Sequence, residues 1–400
     1  MSETGVKPRM SIGDKLRASG GIGKGFDSLR LLLAVGVVAW HSIGIVRHGL
    51  YGDGLPFFWF VGYGILTMFF ALSGFLIAGS AGRLKLGDFL LNRGLRIFPA
   101  LAVEILLSAF ILGACLTTLP LGQYFGNAQT WHYLTNIVAL INYQLPGVFT
   151  HNQTDVVNGS LWTVPLEFLC YGVMSVIIVI GLLKRPMMIL ALAGFVIVVG
   201  LAAQFGLHMK ANAATGSWVA KAFSRVFVDH QSRLLLSFLL GIVVFCLRDR
   251  IPYSRGLAFV ATLICVAVAA LGPADVLGYP LINAIAAPAL TYLMAFIGVS
   301  SVPTPALFKR GDYSYGIYLY GFPLQQVVVG AFASVESSVL QFFMALPVIA
   351  LFSAFSWHVI EKPILKLRKR FSFVSRVRLA EETARPVAQP STAVDAAGQL

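Results

Sequence analysis

The stretch FDSLRLLLAVGVVAWHSIGIV, from Phe26 to Val46, decides the fold of this protein. It is about 21 residues long and almost wholly apolar, which is the length at which an α-helix crosses a bilayer. Arg30 and His41 interrupt it, and about 100° of rotation per residue puts them on one face, roughly 16 Å apart along the axis. An ionisable side chain inside a membrane is costly and indicates a functional site. Two alternatives stay open: Arg30 snorkels to the headgroups, and His41 is a structural histidine.

The composition extends this interpretation to the whole chain. Of its 400 residues 57% are hydrophobic and only 12% are charged, whereas about a quarter are charged in soluble globular proteins. The sequence therefore predicts an all-α, polytopic integral membrane protein with about ten transmembrane helices. The predicted segments are 26–46, 59–80, 99–119, 161–182, 186–206, 233–247, 256–272, 278–299, 313–334 and 338–360. The shorter apolar stretch 131–145 is predicted to be an interfacial helix within an outside loop.

The distribution of Lys and Arg orients the chain. With the N-terminus inside, 24 of the 30 basic residues lie in cytoplasmic segments, 5 lie outside, and Arg30 lies in the membrane. The net charge of +13 thus follows the positive-inside rule and is not a nucleic-acid signal. We expect both termini in the cytoplasm. The predicted divisions are a cytoplasmic segment 1–21, a membrane domain 22–363 and a basic, then disordered tail 364–400.

Several kinds of site lack support in the sequence. The four cysteines lie in apolar segments without a C-x-x-C spacing, so neither a disulfide framework nor a zinc site is expected. The chain has no Walker A motif, no G-x-G-x-x-G fingerprint, no G-x-S-x-G and no H-E-x-x-H. We therefore expect no metal and no bound cofactor, and ATP-driven transport loses support.

Two arginines precede the third predicted helix at its cytoplasmic end. Arg93 and Arg96 are three residues apart, immediately before Pro99, which is expected to open the helix. Arginines so placed can hold phosphate groups bidentately. Positive-inside topology alone would also put basic residues here, and that alternative stays open. Glu104, one or two turns deeper, is expected to pair with one of the two.

Other polar groups complete the set of candidates. Glu167 lies at a depth similar to that of His41, so a carboxylate–imidazole pair is predicted, with a purely structural Glu167 as the alternative. Ser73 lies beside a glycine in the second helix, where small residues serve either close helix packing or a substrate. His358 and Glu361 are interpreted as a hydrogen-bonding pair at the inner end of the tenth helix.

Taken together, these residues resemble the acyltransferase-3 family of bacterial integral-membrane O-acyltransferases. The resemblance covers roughly residues 22–363, and each piece is weak alone but all occur in order. The matching pieces are Arg30-x10-His41, FFALSGFLI at 69–77, RGLRIFPA at 93–100, SLWTVPLEF at 160–168, YSYGIYLYGFP at 313–323 and EKP at 361–363. Gly321 stands where many members have a histidine, so no role is transferred to that position.

The resemblance implies a protein of a bacterial inner membrane that transfers an acyl group, commonly acetyl from cytoplasmic acetyl-CoA, to a hydroxyl of a cell-surface or lipid-linked carbohydrate. Arg93 and Arg96, with Arg30, would then hold the nucleotide end of the donor. Ser73 is assigned to the same set of donor-binding residues. His41 would act as general base or would carry the acyl group itself, with Glu167 holding the imidazole. The acceptor and the oligomeric state are left open.

Two other classes of function compete with this one. A transporter or flippase of a lipid-linked saccharide would also use many helices and buried charges, but the sequence shows no repeat symmetry. A membrane assembly or sensor protein without catalysis leaves Arg30, His41 and Glu167 unexplained. The acyltransferase interpretation is preferred because it uses all three residues.

Overall fold

The structure is a computed structural model that describes residues 10–21, 23–46, 58–82, 84–209, 217–272, 277–303, 311–332 and 336–371. Within these ranges every regular element is helical, and the single β contact is an isolated bridge between Ser11 and Pro252. The all-α prediction is therefore confirmed. The tail beyond residue 371 lies outside the described residues.

The longer helices are numbered here in chain order. They are α1 (Ile12–Ala18), α2 (Phe26–Val46), α3 (Phe58–Ala81), α4 (Leu86–Leu107), α5 (Val164–Val179), α6 (Pro186–Leu201), α7 (Trp218–Phe227), α8 (Ser232–Cys246), α9 (Arg255–Ala270), α10 (Tyr279–Val299), α11 (Ser314–Ala331), α12 (Ser338–Phe355) and α13 (Lys362–Phe371). Wide π turns at Ser108–Leu112, Ala202–Gly206 and Ser356–Glu361 extend α4, α6 and α12.

Each of the ten predicted apolar segments overlaps a helix, but fewer than ten meet the requirements for a membrane span. In the described part of the chain seven helices are long and apolar enough, or eight if α7 and α8 form one bent span. Helix α9 has only 16 residues, and α11 carries Gln325 and Gln326 among its apolar side chains. The structure therefore supports a multi-pass membrane protein without confirming the count of ten.

The centre of the bundle is the close contact of α3 with α8. A Cβ on Gly74 would collide with the backbone carbonyl of Phe238, and one on Gly241 would collide with that of Ala71. Only glycine lets the two backbones approach this closely, as is common between helices in membranes. The Gly74 beside Ser73 therefore serves packing, as the sequence suggested, and the contact fixes α3 as a wall of both cavities described below.

The third predicted span begins earlier than expected. Helix α4 starts at Leu86, so Pro99 lies inside it rather than at its first turn. Neighbouring helices can satisfy the backbone carbonyl that a proline leaves free, which is why membrane helices tolerate it. Arg93 and Arg96 consequently project from regular helix. The stretch 131–145 also contains less helix than predicted. It has only short helical turns, at Ala128–His132 and Tyr133–Val138.

The N-terminal segment is ordered from residue 10 onward. Ser11 and Asp14 form a capping box at the start of α1, and the Ser11 backbone and hydroxyl lower the pKa of Asp14 to about 2. The Ile12 amide donates to the carbonyl of Ile251 at 2.9 Å, and Arg17 bridges Asp14 and Asp249. These bonds attach α1 to the turn between α8 and α9.

Helices α7 and α8 form a bent pair. The two helices meet at 51°, separated by the residues 228–231, and α8 then runs into the centre of the bundle. The bend places His230, Gln231 and Arg233 in the wall of one of the two cavities described below. Backbone of this kind occurs in membrane proteins only where protein or a cavity surrounds it.

Candidate active site

The first cavity, here called the arginine cavity, has a volume of about 460 Å³ and lies among α2, α3, α4, α5 and α11. Most of the residues selected from the sequence line it together: Arg30, Ser73, Arg93, Arg96 and Glu167. Because Arg30 lies one turn into α2 and the other two arginines precede the middle of α4, this cavity is at the end of the bundle where α2 and α4 begin.

Asp312 organises this cavity, and the sequence analysis missed it. Its Oδ2 accepts from Arg30 Nη1 and from Arg96 Nη2, each at 2.7 Å, while Ser314 donates to Oδ1 at 2.6 Å. Burial alone would raise the pKa of Asp312, but the guanidiniums of Arg96 and Arg30 outweigh it and lower the pKa to about 2. A lone acidic residue directly before the YSYGIYLY run was the signal that would have identified it.

The predicted pair of arginines is not a symmetrical clamp. Arg96 is held by Asp312 and, at 3.1 Å, by Glu361, and its guanidinium lies over the rings of Tyr315 and Trp357. In contrast, Arg93 makes no ion pair with any described residue, and its buried Nε has no hydrogen-bond partner there. Arg93 is therefore the cation of this cavity that has capacity left for an anionic ligand.

Two pairings expected from the sequence do not occur. Glu104 accepts from Ser108 at 2.8 Å and from Asn158 at 3.0 Å, so its carboxylate braces the loop before α5 instead of an arginine. Glu361 binds Arg96 and Ser356, while His358 contacts Tyr313 at 3.1 Å. Spacing along a helix suggested these pairs, whereas the structure supplies partners from other segments, namely Asn158, Arg96 and Tyr313.

The second cavity, here called the histidine cavity, has a volume of about 930 Å³ and contains His41. Its walls are largely aromatic and include Trp40, Trp59, Tyr63, Trp162, Tyr279 and Phe322. The His41 ring lies edge-on to Phe322 with 5.1 Å between ring centroids. Within the described ranges His41 makes no side-chain hydrogen bond, and the residue is part of the cavity wall. Aromatic walls with a few polar groups are typical of small-molecule sites.

The structure does not bring Glu167 to His41. Glu167 lines the arginine cavity and accepts a 2.6 Å hydrogen bond from Tyr171 Oη, whereas His41 lines the histidine cavity. The two lie at similar distances from their helix ends, as the sequence suggested, but depth alone does not determine the direction in which a side chain points. The predicted carboxylate–imidazole pair is therefore absent from this arrangement.

The two cavities share Leu66 and Tyr318. The Tyr318 hydroxyl lies 2.5 Å from Thr163 Oγ1 and donates to the carbonyl of Ser160 at 3.0 Å, which fixes the ring between α3 and α5. A molecule in the arginine cavity and one in the histidine cavity would thus meet at this ring. Such an arrangement can bring together two substrates that enter from opposite ends of the bundle.

Gly321 lies one residue before Phe322 but on another face of α11. It is buried, and a Cβ there would lie 3.0 Å from Val38 Cγ2 of α2. A larger side chain at this position would therefore press against Val38 of α2. Gly321 does not line the histidine cavity.

Comparison with known proteins agrees with the geometry. An O-acetyl transferase of Shigella phage Sf6 is 29% identical over 354 residues, covering 85% of this chain and 95% of the relative. Nodulation protein 10 of Rhizobium leguminosarum bv. viciae is 27% identical over 393 residues, covering 89% and 97%. No solved structure is significantly similar to the chain.

A family comparison covers both cavities. The acyltransferase-3 family, described as an acyltransferase domain, matches residues 24–358. This range includes α2 through α12 and all six residues selected from the sequence. It also includes Asp312 and Tyr318. The chain therefore belongs to the acyltransferase-3 family.

Proposed function

We propose that this protein is a membrane O-acetyltransferase that moves an acetyl group from acetyl-CoA to a hydroxyl of a carbohydrate on the other side of the membrane. The observation that carries the proposal is the pair of cavities that meet at Leu66 and Tyr318. One cavity offers cations and the other a histidine with free ring nitrogens. The similarity to a phage O-acetyl transferase supports acetyl as the group and oxygen as the accepting atom.

The arginine cavity suits the donor. Coenzyme A carries phosphates, and arginine binds phosphate through parallel charge-assisted hydrogen bonds. Arg93 supplies the free guanidinium, while Arg30 and Arg96 are held in place by Asp312. Glu167 interacts electrostatically with Arg93 and Arg96, so we assign it to the donor end. The positive-inside rule puts this end in the cytoplasm, where acetyl-CoA is made.

The histidine cavity suits the acceptor. His41 takes the proton of the acceptor hydroxyl, the new oxygen–carbon bond forms at the acetyl carbonyl, and the bond to sulfur breaks. The coenzyme A thiolate then receives the proton. In the alternative sequence His41 first accepts the acetyl group on a ring nitrogen and passes it to the hydroxyl in a second step. Both sequences need the thioester to reach the Tyr318 ring that separates the cavities.

Replacement of His41 tests the proposal. Cells lacking the gene are complemented with wild type, with His41→Ala, or with His132→Ala as a control on an exposed loop histidine. O-acetyl groups on the purified surface polysaccharide are measured by proton NMR, with each variant present in the membrane at equal level. We expect acetyl signals with wild type and His132→Ala only. Restoration by His41→Ala would refute the role of His41.

A second assay separates the acceptor from the reaction class. Isolated membranes are supplied with acetyl-CoA, and free coenzyme A is measured with a thiol reagent. Wild-type membranes should release coenzyme A faster than membranes from the deletion strain, and those with His41→Ala should not. If wild-type and deletion membranes release it at the same rate, acetyl-CoA is not the donor.

A further inference from the structure

The histidine cavity contains a second buried charge, Arg233, which the proposed transfer does not use. Its side chain lines the cavity and is only 6% exposed. One Nη donates to the backbone carbonyl of His230, the guanidinium lies 5.0 Å from the centre of the Tyr63 ring, and Nε has no hydrogen-bond partner in the described structure. Buried cations in proteins are normally paired with an anion.

No described carboxylate lies within ion-pairing distance of Arg233, that is within 4.0 Å. This distinguishes it from Arg30 and Arg96, which share Asp312. The acid nearest in sequence, Asp229, accepts a hydrogen bond from Ser224 at 2.9 Å. The contact with the Tyr63 ring offsets part of the desolvation cost but leaves the positive charge uncompensated.

The backbone at this point adds further positive potential. Arg233 is the second residue of α8, directly after the 51° bend between α7 and α8. The dipole of a helix N-terminus favours an anion and disfavours a cation, so an arginine placed here raises an already positive potential, while the amides of Ser232 and Leu234 already donate to the carbonyls of Asp229 and Gln231. In membrane proteins the N-termini of interrupted helices commonly face anionic groups of substrates.

We propose that the Arg233 guanidinium, at the N-terminus of α8, binds an anionic group of the acceptor, so that this enzyme acts on a negatively charged carbohydrate. The inference rests on the proposed function, because it takes the histidine cavity to be the acceptor site. Two sources supply the same anionic oxygens: a carboxylate on the sugar, as in a uronic acid, or the diphosphate of a lipid-linked saccharide. The aromatic walls around Arg233 provide stacking surface for sugar rings or contact for a lipid chain.

Binding of charged and neutral probes tests this site. The full-length protein in lipid nanodiscs is titrated with sodium glucuronate and with geranyl diphosphate, and with glucose and geraniol as their neutral counterparts. Tryptophan fluorescence reports binding, because Trp59 and Trp162 line the cavity. The variants are Arg233→Met, which keeps the side-chain volume, Arg233→Lys, which keeps the charge, and Arg225→Met, which changes an exposed arginine of α7.

We expect at least one charged probe to bind wild type and Arg225→Met, with about tenfold or more weaker binding to Arg233→Met. Arg233→Lys should fall between them, because it keeps the charge but loses the planar fork. The charged probe that binds identifies the source of the anion. Removing an uncompensated buried charge should also raise the apparent melting temperature of Arg233→Met without probe, whereas loss of a structural arginine would lower it.

The proposal is overturned if both charged probes bind wild type and Arg233→Met equally, or if neither binds wild type. If Arg233→Met does not fold, wild type is compared with Arg233→Lys instead. Equal binding of the charged probe by these two proteins would show that the guanidinium is not required. None of these titrations contains acetyl-CoA. Failure of the proposed function would appear separately, as the absence of coenzyme A release from wild-type membranes.

Discussion

Replacing Asp312 by asparagine should destabilise the protein by about 2–3 kcal/mol at neutral pH. Asp312 Oδ2 receives two charge-assisted hydrogen bonds of 2.7 Å, from Arg30 and Arg96. Each such bond contributes about 1.5–3 kcal/mol, and a side chain that is 28% exposed belongs at the lower end of that range. The same two guanidiniums lower the pKa of Asp312 from 3.8 to about 2, which corresponds to about 2.5 kcal/mol.

The matched control is Asp27→Asn. Asp27 also faces Arg30, but at 3.7 Å and with 71% of its side chain exposed, so its loss should cost less than about 0.5 kcal/mol. The free energy of unfolding of wild type and both variants is measured in mixed detergent micelles by circular dichroism. The reasoning is refuted if Asp312→Asn is no more destabilising than Asp27→Asn.

The pH dependence supplies a second check on Asp312. Because its pKa is lower in the folded protein than in the unfolded chain, its contribution is complete well above pH 3.8 and declines as the pH falls towards 2. The difference in unfolding free energy between wild type and Asp312→Asn should therefore be constant from pH 7 to about pH 5. It should shrink below about pH 3.8. A difference that stays unchanged down to pH 2.5 would contradict the assignment of charge to Asp312.

Three further predictions follow from the geometry of the site and the bundle. Arg93→Gln should raise the KM for acetyl-CoA about tenfold or more in coenzyme A release assays, while the exposed control Arg185→Gln should not. Tyr318→Ala joins the two cavities, so hydrolysis of acetyl-CoA without acceptor should rise several-fold over wild type; an unchanged rate would argue against a partition at this ring. Gly74→Ala should lower the unfolding free energy by about 1–3 kcal/mol because the added methyl group collides with the α8 backbone. The control Gly172→Ala has open space around the added methyl group and should change the unfolding free energy by less than about 0.5 kcal/mol.

The membrane fold was predictable because it follows from properties that are local in sequence. A bilayer forces backbone hydrogen bonds into the helix that contains them, so apolar length alone indicates where helices lie. Every predicted apolar segment overlaps a helix in the structure, and the ends of α2 and α10 agree with the prediction within one residue. It was less predictable which helices cross the membrane. Both α9 and α11 are helical, but they do not have the length and apolar composition that a membrane span requires.

The cluster of arginines was predictable for the same reason. Arg30, Arg93 and Arg96 are fixed near one membrane surface by their positions in α2 and α4, and the resemblance of the surrounding motifs indicated an acyltransferase. Contacts between different helices could not be predicted from the position of a residue along its own helix. The predicted pairing of Glu167 with His41 depended on how α5 is rotated against α2, which depth along the membrane does not specify.

The sequence by itself determined that this chain is a helical membrane protein, that Arg30 and His41 share one face of its first long helix, and that its motifs resemble those of acyltransferases. Only the tertiary structure decided that these two residues belong to different cavities, that Asp312 joins Arg30 to Arg96, and that Tyr318 separates the cavities. The physical reason is that hydrophobicity and helical period are properties of one segment. Side-chain pairing depends instead on helix rotation, on close glycine contacts and on breaks such as the one before Arg233, and all packed helices together set these features.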